Sequence, residues 1–79
     1  MKFEEFEAKI WEKGYGIVAM NHYTINGKRY TYCVVLSQNK ERAFQSEAED
    51  SEVVFKNIYN QIVNYEKKYT RKNRKSNNI

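Results

Sequence analysis

The segment 15-YGIVAMNHYTINGKRYTYCVVLS-37 decides how the rest of the chain can be arranged. It holds two runs of β-branched and aromatic residues joined at Asn26-Gly27. A type I′ turn needs positive φ at both central positions, which Asn and Gly tolerate best, so the segment is predicted to be a β-hairpin. A two-residue turn also sets the register. With Ile25 facing Lys28, one side of the ribbon should carry Tyr23 opposite Tyr30, Asn21 opposite Tyr32, Ala19 opposite Val34 and Ile17 opposite Leu36. The other should carry Thr24 opposite Arg29, His22 opposite Thr31, Met20 opposite Cys33 and Val18 opposite Val35.

On the N-terminal side, Phe3, Phe6 and Ile10 recur at helical spacing among Glu4, Glu5, Glu7, Lys9, Glu12 and Lys13. This predicts a short amphipathic helix over residues 2–13, with Gly14 as the residue that ends it in a left-handed conformation. On the C-terminal side, Ser37-Gln38-Asn39-Lys40 reads as a turn. Residues 41–45, carried by Ala43 and Phe44, read as a third strand at a sheet edge, with Glu41 and Arg42 discouraging further pairing. Ser46 and Glu49 then form a capping-box pattern ahead of the longest periodic segment. Ala48, Ser51, Phe55, Ile58, Ile62, Tyr65 and Tyr69, widened by Val54, give a second helix over residues 47–70.

The expected fold is therefore α+β, a three-stranded antiparallel sheet in α-β-β-β-α order with both helices on one face. Seventy-nine residues suit one core, expected over residues 1–70. Residues 71–79 are expected to be a disordered basic tail. The charge supports that division. Lys67, Lys68, Arg71, Lys72, Arg74 and Lys75 are 6 of the 14 basic residues, and without them 8 face 10 acidic groups, a net of −2 against +4 for the whole chain. A mildly acidic domain thus carries a basic end.

Composition narrows the chemistry. One cysteine, Cys33, excludes an internal disulfide and a cysteine-based zinc site, and fits a cytoplasmic protein. Without a long apolar run, no membrane association is expected. Mean hydropathy is low at −0.92, yet 15% of residues are aromatic, which sets the chain apart from disordered sequences. His22 and Cys33 are diagonal neighbours on the ribbon, the spacing of a thiolate–imidazole pair, but no orienting group or oxyanion hole accompanies them. Cys33 between Thr31 and Val35 reads as a small core residue, so the protein is expected not to be an enzyme. One His and one Cys are too few for a transition-metal site, and Glu47, Glu49, Asp50 and Glu52 read as a helix start and not a calcium site. Gly14-Tyr15-Gly16 lacks the third glycine and the preceding strand of a dinucleotide fingerprint, so no cofactor is expected.

Two binding readings remain. If the Cys33 side of the ribbon is covered, Tyr23, Tyr30 and Tyr32 lie on an exposed aromatic face that suits another protein, or a second copy in a homodimer. If the tyrosine side is covered, the segment of Lys67, Lys68, Arg71, Lys72, Arg74 and Lys75 becomes the main candidate, for non-specific nucleic-acid binding. Residue counts favour burying the tyrosine side, and residue types favour burying the other.

The element order resembles the double-stranded-RNA-binding domain, a family that meets phosphates with a lysine cluster at the start of its second helix. Glu47, Glu49, Asp50 and Glu52 stand there in this chain and would repel phosphate, so the likeness extends to element order and not to activity. A second resemblance rests on Phe3-Glu4-Glu5-Phe6, Glu12-Lys13-Gly14-Tyr15, the tyrosine-rich hairpin and Val54-Phe55-Lys56-Asn57-Ile58-Tyr59. In these the chain is similar to small accessory proteins of phages and prophages. That resemblance implies a protein that binds and inhibits a host or defence protein.

Overall fold

In the computed structural model, residues 1–77 are described, with side chains through Lys68. The order is helix α1 (Phe3–Glu12), strands β1 (Tyr15–Ile25), β2 (Lys28–Ser37) and β3 (Ala43–Ala48), and helix α2 (Ser51–Asn77). The strands form one antiparallel sheet in the order β1-β2-β3, as the α+β reading requires.

The hairpin closes as expected. Asn26 and Gly27 take φ of 53° and 79°, and the register from Ile25–Lys28 back to Ala19–Val34 matches the predicted pairing. It then departs. A β-bulge between Ile17 and Ala19 pairs Ile17 with Val35, Gly16 with Leu36 and Tyr15 with Ser37. Val18 is the extra residue, 59% exposed, where the sequence placed it opposite Val35. The bulge moves Ile17 onto the covered side of the sheet, where it packs against the core. It also lets Tyr15 swing under α1 and become buried.

Both helices cover that same side. Phe6 and Ile10 from α1 and Val54, Phe55, Ile58 and Ile62 from α2 enclose Cys33 and Val35, and every one of them is buried. Full burial of such a side chain stabilises the fold by about 1.5–3 kcal/mol relative to exposure. Phe6 stacks on Phe55 with centroids 4.8 Å apart, so the two helices meet through aromatic rings directly above the sheet. A second seam holds them lower down. Lys13 donates to Glu66 Oε1 at 2.7 Å, a bond that raises the lysine pKa, and the Lys9 and Lys13 ammonium groups lie over the Tyr59 ring.

α1 ends as its sequence predicts, with Gly14 at φ 90° and its N–H donating to Trp11 O at 3.0 Å. The boundary between β3 and α2 is different from the expected one. Residues 46–48 continue the strand, pairing Cys33 with Ser46, Tyr32 with Glu47 and Thr31 with Ala48, so the Ser46 capping box is not used. Asp50 caps α2 instead, its Oδ1 accepting from Glu52 N at 2.9 Å. Ladder bonds to β2 outweigh an earlier helical turn, because Asp50 supplies an equally good cap three residues after the strand residue Glu47. The α2 backbone runs past the expected end near residue 70. The side chains of residues 69–77, and all of 78–79, lie outside the described residues, while the backbone of 71–77, within the segment expected to be a disordered basic tail, is helical.

Candidate protein-binding face

With the helices on the Cys33 side, the other side of the sheet is left without a covering layer. Its residues follow from the period of two. Tyr30, Tyr32, Val34 and Leu36 project from β2, Ala19, Asn21 and Tyr23 from β1, and Ala43, Gln45 and Glu47 from β3. The four β2 residues and Tyr23 are half-buried by one another, while Thr31, Cys33, Val35 and Ser37 on the far side of the same strand are buried. From Tyr30 to Leu36 the face is about 20 Å long at 3.4 Å per residue.

The three tyrosines are tied to one another and to the edge strand. Tyr23 and Tyr30 occupy directly opposed positions and stack with centroids 5.6 Å apart and planes at 23°. The Tyr32 hydroxyl donates to Gln45 Oε1 at 2.6 Å. The Tyr23 hydroxyl donates to the Glu47 carboxylate, which holds the phenol up to about 12, because ionisation would lose the bond and place two anions together. Each hydroxyl is thereby fixed at one end while the ring faces solvent. Rings held in one rotamer lose little further entropy when a partner covers them.

The sequence singled out Tyr23, Tyr30 and Tyr32, and the fold brings all three together on this open face. It overlooked Gln45 and Glu47, which the sequence reading assigned to a short edge strand and a helix start. The alternation that marks this strand lies in burial, with Phe44, Ser46 and Ala48 half-buried and the odd-numbered residues outward, and not in residue type, since Gln45, Ser46 and Glu47 are all polar. Ile17, expected beside the tyrosines, is removed to the covered side by the bulge.

The other constellations separate. His22 Nδ1 and Thr31 Oγ1 share a hydrogen bond of 2.9 Å, and Cys33 lies beneath the helices with burial pushing its thiol up to about 11. A thiol held protonated at neutral pH is a packing residue, the opposite of an activated nucleophile. Among the described residues no three His, Cys, Asp or Glu side chains gather as a metal site would need, and no helix is long and apolar enough to cross a membrane. Lys67 and Lys68 are exposed on α2, and the side chains of Arg71, Lys72, Arg74 and Lys75 lie outside the described residues. Compared with known proteins, the chain matches no family model, no curated sequence and no solved structure.

Proposed function

We propose that this protein is a small non-enzymatic binding module that meets another protein through the open tyrosine face, in the manner of a phage-type inhibitor of a host or defence protein. The observation that carries this reading is the uncovered row of Tyr30, Tyr32, Val34 and Leu36, flanked by Tyr23 and with tyrosine hydroxyls anchored to Gln45 and Glu47. Aromatic residues with a polar tip are the type enriched at interface centres, since one ring supplies large contact area with few rotatable bonds. Glu47 beside the rings argues for a protein surface over a phosphate backbone, because its carboxylate repels an approaching phosphate.

The test is affinity capture from the native host, with nuclease-treated and untreated lysate in parallel and with a chain truncated after Thr70 alongside the full one. A single protein retained in nuclease-treated lysate, at moderate salt and by both chains, is the expected result. Capture that vanishes with nuclease, or with residues 71–79, would instead assign binding to nucleic acid and the basic segment.

A further inference from the structure

The two edges of the sheet are protected very differently. β3 is six residues long, follows Glu41 and Arg42, and is attended by α2, whose Gln61 Nε2 donates to the Gln45 backbone carbonyl at 3.1 Å. β1 is eleven residues long and contains neither proline nor an Asp, Glu, Lys or Arg. In an antiparallel strand every second residue turns its N–H and C=O away from its partner, so about five residues of β1 offer a free hydrogen-bonding edge. Long edges without charge or proline are the ones that accept another strand, and the device β1 carries against this is the bulge at Val18, which leaves its ladder regular from Ala19 to Ile25.

Beside the start of this edge lies a groove of about 510 Å³, lined by Glu7, Ala8, Ile10, Trp11, Tyr15, Gly16 and Ile17. It opens on the side of α1 away from α2, since Lys9 and Lys13 on the opposite flank reach Tyr59. Trp11, at its rim, is 65% exposed, the most exposed large apolar side chain among the described residues. Glu4, Glu7 and Trp11 stand at i, i+3 and i+7, so one helix face presents two carboxylates and an indole, of which Glu7 and Trp11 line the groove and Glu4 stands one turn beyond it. Neither carboxylate takes part in an ion pair among the described residues, whereas Glu5, Glu52 and Glu66 do.

We propose that this groove binds an extended peptide segment that adds to β1 as a fourth strand, seats one apolar side chain against Ala8, Trp11 and Ile17, and directs Lys or Arg toward Glu4 and Glu7. Backbone pairing supplies the register, and alternate side chains supply the selectivity, as strand addition requires. The negative flank and the absence of any cation on β1 select a basic segment over an acidic one. The site does not depend on the reading of the tyrosine face, which lies on the other side of the sheet.

Trp11 is the one tryptophan of the chain, so its emission reports on the groove alone. The probe is a capped eight-residue peptide in which Ile and Lys alternate at every second position with Thr between, so that Ile and Lys share the face turned toward α1, with two controls, one carrying Glu for Lys and one N-methylated on alternate amides. A saturable blue shift with the Lys peptide, weakened at least ~10-fold by either control and by Glu7→Lys, is expected. No shift at about 1 mM peptide, which means a binding free energy weaker than about −4 kcal/mol, would overturn the proposal. So would equal binding of the Glu or N-methylated peptide. A blue shift that grows with protein concentration and no peptide would overturn it too, in favour of a second copy on the edge.

Discussion

The two faces of this sheet leave the same strand in opposite directions and meet opposite fates. On one side of β2, Thr31, Cys33, Val35 and Ser37 are small and buried; on the other, Tyr30, Tyr32, Val34 and Leu36 are larger and lack a covering layer. A count of apolar area would have chosen the second face for the core. Packing decides otherwise, because the helices already bring the bulk. Phe6, Phe55, Ile58 and Ile62 fill the interlayer space, and only small sheet residues let them approach to native density. The lesson is that complementarity between layers, and not the apolar content of one layer, determines which face is covered.

The sharpest way to break this contrast is at the covered face. Phe6→Ala removes the ring stacked on Phe55 and is expected to cost about 3–5 kcal/mol, close to the whole stability of a domain this size, in urea unfolding. A loss under about 1 kcal/mol would mean that the helices do not make the core described.

The bulge gives the next largest effect, as a paired test. Ile17→Lys should destabilise by about 2–3 kcal/mol, because a charge is forced toward the core, while Val18→Lys should stay within about 0.5 kcal/mol. A regular ladder through residues 17–19, the arrangement the hairpin turn alone implies, predicts the reverse order. Denaturation midpoints of the two variants therefore read the bulge directly.

On the open face the effects on folding are smaller. Tyr30→Ala loses the stack on Tyr23 and should cost about 1 kcal/mol by the same measurement, since no other layer depends on it. The smallest effect is one of proton affinity. The Tyr23 phenol, held up to about 12 by Glu47, keeps its proton where an unfolded chain gives it up near 10. Its contribution is thus fully present below pH 10 and is lost as pH rises toward 12. Glu47→Gln should lower the Tyr23 midpoint in an NMR titration of the ring carbons. An unchanged midpoint would remove the Tyr23–Glu47 bond from the account.

Much of the architecture was readable from local chemistry. Asn26-Gly27, the spacing of Phe3, Phe6 and Ile10, Gly14, and the stripe of Val54, Phe55, Ile58 and Ile62 each state a local preference that the fold satisfies. Four features were not. The bulge at Val18 arises because Ile17 and Tyr15 gain burial under α1, a tertiary gain that no property of residues 15–19 announces. The start of α2 lay between two good caps, Ser46 and Asp50, and the choice was made by pairing with β2, which brings Thr31 to its ladder partner Ala48 across the intervening residues 32–47. The exposure of the tyrosines was undecidable from their own strand, because it is set by the volume of side chains on the helices. The free edge of β1 with Trp11 beside it was invisible for the same reason: it depends on which flank of α1 faces α2.

The central claim is that the tyrosine face holds a partner and does not hold the fold. It is tested most directly with Tyr30→Ala/Tyr32→Ala, compared with the parent chain for folding by circular dichroism and for retention of the protein captured from host lysate. The account predicts a double variant that remains folded and retains its partner at least ~100-fold less well, the loss expected when interface-centre aromatics are truncated. A folded double variant that retains the partner in full would contradict it.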